Sequence, residues 1–216
     1  EPDPREDAIR VDFDFPDLAP ETFVRLQPTD YSKEEAFARV IALALFDYLR
    51  KARVRGYVVS LSGGADSTAC VCLVRIMVDM AVSELGLEGA KERLGHIRAI
   101  ADAPDATELT RRVLTTAYQA TRNSGDVTRN AARAVAEAVG ADHYELDVDA
   151  LVEGYVALVE KALDRDLTWD SDDIALQNIQ ARSRGPSVWM LANIQRALLV
   201  STSNRSEAAV GYATMD

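Results

Sequence analysis

Apolar positions recur at helical spacing from residue 32 onward, and a short apolar run follows them. Ser32 and Glu35 have the spacing of a capping box. Apolar residues at helical intervals over 36–45 then predict a helix that ends near Lys51. The run 57–61 is short and contains adjacent β-branched residues, so it predicts a buried strand.

The alternation of helix and strand continues along the chain. Further strands are predicted at 96–101, 143–148 and 197–202, and helices at 68–82, 128–139, from the aspartates after Ser171 to about 183, and at 187–195. Gly140 supplies a C-terminal stop for one helix, and Gly185-Pro186 separates the last two. This order predicts an α/β fold of three layers, a parallel sheet with helices on both faces.

Ligands of such sheets bind beyond the carboxyl ends of the strands. Segments 62–67 and 202–207 each follow a predicted strand directly. We therefore expect the two segments to lie at the same edge of the sheet.

The hexapeptide Ser62-Gly63-Gly64-Ala65-Asp66-Ser67 predicts a phosphate cradle. Its adjacent glycines allow positive φ and close approach of an anion to the backbone. The helix that follows offers amide groups and the positive end of its dipole, and Ser62 and Ser67 add hydroxyl donors. The hexapeptide is neither a Walker A loop nor a Gly-x-Gly-x-x-Gly fingerprint. For the glycines alone, a tight strand-to-helix turn without a ligand is the alternative.

Asp66 suggests a metal ion, because a carboxylate beside a polyphosphate would repel it unless a cation lies between them. Mg²⁺ commonly takes one or two carboxylates together with phosphate oxygens. Glu207 is the candidate for a second carboxylate at the same edge. The alternatives are a helix N-terminal charge for Asp66 and an ordinary surface acid for Glu207.

Charge and composition narrow the function classes. The net charge of −11 argues against nucleic acid as a partner. The chain contains no run of 18 apolar residues, so no membrane helix is predicted. Cys70 and Cys72 are expected to be reduced thiols in a cytoplasmic protein, and the few Cys and His residues make a zinc site improbable.

At this hexapeptide the sequence resembles the PP-loop ATP pyrophosphatases, whose signature is Ser-Gly-Gly-x-Asp-Ser. Three further segments make it similar to the NAD synthetases, in particular to the larger, glutamine-dependent members. These segments are Asn178-Ile179-Gln180-Ala181-Arg182, Thr202 to Glu207 followed by Gly211-Tyr212, and Asn123-Ser124 with the helix after it. The resemblance extends from about residue 34 to the end.

This resemblance implies an adenine-nucleotide α-hydrolase-like (Rossmann-like) fold and a C–N ligase that converts deamido-NAD to NAD through an acyl-adenylate, with release of AMP and pyrophosphate. Asp66 and Glu207 would be catalytic and hold Mg²⁺. Asn178 and Arg182 would bind deamido-NAD. ATP would be bound by Ser62, Gly63, Gly64, Asp66, Ser67 and Thr202.

The resemblance also implies a domain organisation and partners. Residues 1–31 are expected to form an irregular arm or linker, and 32–216 a synthetase domain that is incomplete at its C-terminal end. A glutaminase domain upstream and a homodimer are expected, with glutamine and free ammonia both open as nitrogen sources. The alternatives are another PP-loop amidating enzyme, such as the ATP domain of a GMP synthetase, and a non-catalytic nucleotide-binding fragment.

Overall fold

The computed structural model describes residues 12, 14, 31–203, 206 and 209 of the 216-residue chain. By compactness the chain divides into the units Glu1–Ser32 and Lys33–Asp216. The helices and strands described below belong to the second unit. The arm and domain roles assigned to 1–31 and 32–216 stay predictions.

Within the described residues, the second unit is a four-stranded parallel sheet with helices, which confirms the predicted α/β class. The strands are β1 (Tyr57–Ser60), β2 (Leu114–Ala120), β3 (Asp142–Asp147) and β4 (Leu198–Val200). The helices are α1 (Lys33–Ala52), α2 (Ala65–Arg93), α3 (Ala106–Val113), α4 (Asp126–Val139), α5 (Asp149–Leu163), α6 (Asp173–Arg182) and α7 (Gly185–Gln195).

The strand order places the glycine turn at the topological switch point of the sheet. The order is β3-β2-β1-β4, and every pair is parallel. Tyr57 of β1 pairs with Leu114 of β2 on one side and with Leu198 of β4 on the other. The chain therefore adds strands on one side of β1 and then crosses to its other side, which is where open α/β sheets bind ligands. Because β1 and β4 are parallel, Thr202 lies at the same edge as segment 62–67, as expected, whereas residues 204, 205 and 207 lie outside the described residues.

Alternate residues of β1 enter two different apolar cores. Tyr57 and Val59 belong to a large core with residues of α1, α2 and α4, whereas Val58 belongs to a small core with Val188 and Ala192 of α7. Both faces of the sheet are thus covered, as predicted. Each fully buried apolar side chain contributes about 1.5–3 kcal/mol to stability.

The predicted strand at 96–101 is wrong. Residues Arg98–Ile100 form one 3-10 turn, and the apolar side chains of Ile97 and Ile100 are buried on the same side of it. A spacing of three places residues together in a 3-10 turn but on opposite faces of a strand. The short apolar pattern was thus compatible with both conformations.

The second strand of the sheet is β2, which the sequence analysis did not predict. All seven of its residues are buried, although three of them carry polar side chains. The Thr115 hydroxyl lies 2.9 Å from the Gln195 Oε1, and the Thr116 hydroxyl lies 2.8 Å from the His143 Nδ1. These hydrogen-bond partners satisfy polar side chains that would otherwise be costly to bury. A pattern of apolar residues cannot predict such hydrogen bonds.

Other expectations were met in part. Gly140 caps α4 in the left-handed conformation with φ +75°, as predicted. Gly185-Pro186 opens α7, whereas the prediction placed the pair before the helix. Helices α3 and α5 were not predicted. Among the described helices, none has the length and apolar character needed to cross a membrane.

Candidate active site

The turn after β1 is held in one conformation by its first glycine and by the neighbouring elements. The Leu61 amide donates to the Ala117 carbonyl at 2.9 Å, so the chain stays paired with β2 one residue beyond the strand. Gly63 then adopts φ +82°, which residues with a side chain rarely adopt. A Cβ on Gly63 would lie 2.6 Å from the Thr128 carbonyl oxygen of α4. The position therefore requires glycine both for its conformation and for space.

The hydroxyl groups of Ser62 and Ser67 close the turn. Ser67 is buried, and its Oγ lies 3.1 Å from the Ser62 Oγ. The Ser67 hydroxyl donates to the Gly64 carbonyl at 3.2 Å, and the Gly64 amide donates to the Ser62 Oγ at 3.3 Å. In this conformation both hydroxyls stabilise the turn. Their predicted contact with ATP stays a prediction.

Helix α2 begins beside the turn without a side-chain cap. Its N-cap is Gly64, which has no side chain to accept from the first amides. The amides of the first turn and the positive end of the helix dipole are therefore available to an external acceptor. This is the common arrangement for binding phosphate groups.

A cavity of about 300 Å³ opens beside the turn, at the carboxyl ends of β1 and β2. Ser62 lines it from the turn, Gly125 and Thr128 line it from the start of α4, and Arg184 lines it from the segment before α7. Helix α4 also has a glycine N-cap without a side-chain hydrogen bond. One helix N-terminus and the cationic residue Arg184 thus border the cavity, and the start of α2 lies beside it. Their positive potential favours an anionic ligand.

Gln119 and Arg184 also lie at this site, although no sequence motif predicted either residue. The buried Gln119 accepts a hydrogen bond from the Ser60 hydroxyl at 2.7 Å, and its amide donates to the Arg184 carbonyl at 3.0 Å. Gln119 therefore connects the end of β1 to the segment that carries Arg184. The available sequence signal for Arg184 was its position two residues after Arg182, which was predicted to bind the substrate. No sequence pattern marked Gln119, since it occupies a strand position where an apolar residue is the usual occupant.

Asp66 lies exposed in the first turn of α2, directly after the glycine turn. Thr202 is half-buried and follows β4, so it lies at the same edge of the sheet as Ser62. Glu207 and Gly211-Tyr212 lie outside the described residues, so the predicted carboxylate pair stays a prediction. In the described part of the chain, no group of three or more His, Cys, Asp or Glu residues is arranged to hold a metal ion. One carboxylate beside a phosphate-binding turn still fits Mg²⁺, which completes its shell with phosphate oxygens and water.

Asn178 and Arg182 lie on one exposed face of α6, four residues apart as predicted. The helix is attached near the carboxyl end of β2, because the Asn123 side-chain amide donates to the Gln180 Oε1 at 3.2 Å. Residues of all three predicted segments, apart from those outside the described range, thus lie on elements that meet at the carboxyl edge of the sheet.

A second cavity of about 350 Å³ lies between α5 and α6. Asn123 lines both cavities, so the second one adjoins the first. Arg122 at its rim pairs with Asp149 at 2.8 Å and with Glu153. Hydrogen bonds from Arg122 lower the pKa of the Asp149 carboxyl. Trp169 also lines this cavity and is 53% exposed, so its ring offers a stacking surface.

The fold and the site define a class of protein: an α/β protein whose glycine turn, followed by an uncapped helix, lies at the switch point of a parallel sheet. Comparison with known families is more specific. Residues 37–215 match the family described as NAD synthase. The chain belongs to the NAD synthase family.

Known proteins similar to the chain are much longer than the chain itself. The glutamine-dependent NAD(+) synthetase of Bos taurus is 34% identical over 203 residues, which cover 85% of this chain and 29% of that protein. The crystal structure of a glutamine-dependent NAD(+) synthetase from Cytophaga hutchinsonii is 49% identical with a TM-score of 0.79, over 86% of this chain and 33% of that one. The glutamine-dependent NAD+ synthetase of Acinetobacter baumannii in complex with adenosine diphosphate is 19% identical with a TM-score of 0.63, over 88% of this chain and 29% of that one, and shares the fold.

Proposed function

We propose that this chain is the synthetase part of an NAD synthetase, which uses ATP to convert the nicotinate carboxylate of deamido-NAD to the amide of NAD. The observation that carries the proposal is the Ser62–Ser67 turn at the switch point of the sheet, in a chain of the NAD synthase family. The glycine at +82° and the uncapped start of α2 support phosphate binding at this turn.

The chemistry has two steps. A carboxylate oxygen of deamido-NAD attacks the α-phosphorus of ATP, the bond to the β-phosphate oxygen breaks, and pyrophosphate leaves. Ammonia then attacks the acyl carbon, AMP leaves, and one proton is released to solvent. Neither step needs a covalent bond to the protein.

The protein contributes position and charge. The backbone amides of the turn and of α2 would hold the β- and γ-phosphates, and Arg184 would neutralise charge that develops on the departing pyrophosphate. Preorganised donors of this kind contribute several kcal/mol to catalysis in other enzymes. The Arg184 contact is supported by its place in the cavity beside Ser62.

Asp66 and Glu207 would hold Mg²⁺, which would shield the phosphate charges when bound. Asp66 is well placed for this role at the start of α2. Asn178 and Arg182 would bind the deamido-NAD half of the ternary complex. The two adjoining cavities provide room for ATP phosphates at one end and for the second nucleotide along α6.

Partners and location follow from the relatives and from the exposed surface. Because the named relatives are glutamine-dependent, we propose that a glutaminase domain upstream supplies ammonia.

Self-association is supported by exposed apolar side chains on α5 and α7, among them Leu158, Trp189 and Ile194. Trp189 is 56% exposed, so it is not a core residue. A cytoplasmic location fits the free thiols of Cys70 and Cys72.

The test is a product assay with ATP, Mg²⁺, deamido-NAD and ammonium, in which AMP and NAD are measured together. Equal amounts of both products are expected, with loss of both in Asp66→Ala. Asp79→Ala is the matched control, since Asp79 is an exposed acid of the same helix that pairs with Arg75. ATP binding without either product would favour a non-catalytic nucleotide-binding domain. AMP formation with a purine nucleotide in place of deamido-NAD would favour a GMP synthetase.

A further inference from the structure

A cavity of about 1020 Å³ lies at the amino ends of the strands, at the edge of the sheet opposite the candidate active site. Tyr57 of β1, Thr115 of β2 and Asp142 of β3 mark its position, because each is the first or second residue of its strand. None of the residues assigned to the candidate active site lines it. The proposed amidation reaction therefore leaves this cavity unexplained.

The lining of the cavity is strongly basic, although the whole chain has a net charge of −11. Its acidic lining residues are Glu108 and Asp142. Its arginines are Arg53, Arg55, Arg98, Arg111 and Arg112. Five arginine residues around one concave surface create a local positive field that attracts anions, although the whole chain is acidic.

The positive charge of three of these arginines is not balanced by an ion pair within the described residues. Arg53, Arg55 and Arg98 form no ion pair with any residue that the structure describes. The other two arginines both pair with Glu108, at 2.8 Å for Arg111 and at 2.9 Å for Arg112, and Arg112 also pairs with Asp102. Hydrogen bonds from both lower the pKa of the Glu108 carboxyl, so Glu108 stays charged and keeps the two arginines in place.

The backbone that carries the unpaired arginines is anchored. The Arg55 amide donates to the Arg196 carbonyl at 2.9 Å, and a ring nitrogen of His96 lies 3.0 Å from the Val54 carbonyl oxygen. The Thr115 hydroxyl donates to the Gln195 Oε1 at 2.9 Å, which turns the Gln195 side chain toward the cavity lining. These hydrogen bonds therefore hold the backbone and the polar side chains between the arginines in place.

We propose that this cavity, here called the amino-edge site, binds an anion with two or more phosphate groups, such as a nucleoside diphosphate or an inorganic polyphosphate. The guanidinium fork matches phosphate oxygens in a bidentate manner. A volume near 1,000 Å³ is at the upper end of small-molecule cavities and exceeds what a single phosphate fills. The proposal does not depend on the proposed amidation.

The test is a titration of the ¹⁵N-labelled protein with tripolyphosphate, and separately with ADP, at physiological ionic strength and with EDTA. The amides of Gly56 and Gly95 report on the amino-edge site, and those of Gly63 and Gly64 report on the turn after β1. Saturable shifts of Gly56 and Gly95 are expected. Tighter binding of ADP than of tripolyphosphate would identify a nucleotide as the ligand, and the reverse would identify a polyphosphate.

The triple substitution Arg53→Ala, Arg55→Ala and Arg98→Ala should weaken the titration of Gly56 and Gly95 about tenfold or more. The shifts of Gly63 and Gly64 should be unchanged in this variant. The control removes three cations outside the cavity, Arg39, Arg93 and Lys161, and should leave both titrations intact.

Absence of saturable shifts at Gly56 and Gly95 would overturn the proposal, as would equal affinity in the triple variant and the wild type. If the triple variant does not fold, the single charge reversal Arg98→Glu provides the same comparison, because Arg98 is exposed on the 3-10 turn. Failure of the amidation assay with intact titration at Gly56 would refute the proposed function and leave the amino-edge site standing.

Discussion

The two edges of the sheet use different chemistry around their cavities. At the carboxyl edge the donors are mainly backbone amides and hydroxyls, held by Gly63, Ser67 and Gln119. At the amino edge the donors are mainly guanidinium groups on long side chains. A small shift disturbs a site built from the backbone, whereas a site built from arginines tolerates movement but weakens with salt.

This difference has a physical origin in the direction of the strands. Parallel strands followed by helices bring several helix N-termini to the carboxyl edge, where their amides and dipoles attract anions. Among the residues that the structure describes, no α-helix begins in the lining of the amino-edge site. Positive charge there must come from side chains such as Arg53 and Arg98.

The largest expected effect comes from Gly63→Ala, which breaks the carboxyl edge. The substitution should cost about 2–4 kcal/mol in the free energy of unfolding, because φ +82° is unfavourable for alanine and its Cβ would meet the Thr128 carbonyl at 2.6 Å. ADP binding at the turn should be lost. Urea unfolding and ADP titration measure the two effects. Gly64→Ala is the control, since its φ is −83° and its Cβ would approach only the Ser62 hydroxyl at 3.3 Å, and an equal loss in both variants would contradict the argument.

Gln119→Leu and Thr115→Val compare the two ends of the same strand. Gln119→Leu removes three hydrogen bonds, those with Ser60, with the Arg184 carbonyl and, at 3.5 Å, with the Ser187 hydroxyl, so we expect a loss of about 2 kcal/mol in stability. Thr115→Val removes one hydrogen bond and should cost about 1 kcal/mol. Weaker ADP binding at the turn is expected only for Gln119→Leu. If Thr115→Val weakened it as much, the two edges would be coupled and the comparison would fail.

Ser67→Ala tests whether the turn depends on its buried hydroxyl. The loss of its hydrogen bonds to Ser62 and Gly64 should cost about 1 kcal/mol and weaken ADP binding severalfold. Ser183→Ala is matched, because Ser183 is also buried and donates to a carbonyl of the preceding helical turn, that of Ile179 at 2.7 Å. Calorimetric unfolding and ADP titration should show similar stability losses in both variants. Unchanged ADP affinity in Ser67→Ala would show that the turn does not need this hydroxyl.

The smallest effect concerns pH and His143 on β3, near the amino edge. Burial lowers the pKa of the His143 imidazole below its ordinary value, so the folded protein binds this proton more weakly than the unfolded chain does. This contribution to stability is fully present above about pH 6.5 and is lost as the pH falls from there toward the lower pKa of the folded state. Thermal unfolding midpoints measured from about pH 7.5 to pH 5 should fall less in His143→Gln than in the wild type. Identical slopes would mean that His143 remains uncharged in both states or is not buried.

The sequence alone determined those parts of the fold whose signals come from residues close together in the chain. The apolar run at β1, the two glycines after it and the left-handed Gly140 stop could be predicted, because each signal lies within a few residues of the element it specifies. The same local signals identified Ser62, Gly63 and Ser67 as a turn and placed Asn178 and Arg182 on one helical face.

The tertiary structure alone decided the rest. Strand β2 is an inner strand whose polar side chains Thr116 and Gln119 find partners far away in sequence. Ile97 and Ile100 are both buried at a spacing of three, which a 3-10 turn allows and a strand does not. The placement of Arg184 beside Ser62 and the gathering of arginines at the amino edge also depend on strand order. Such contacts join residues from distant segments, and a pattern within one segment carries no information about which distant segment will lie against it.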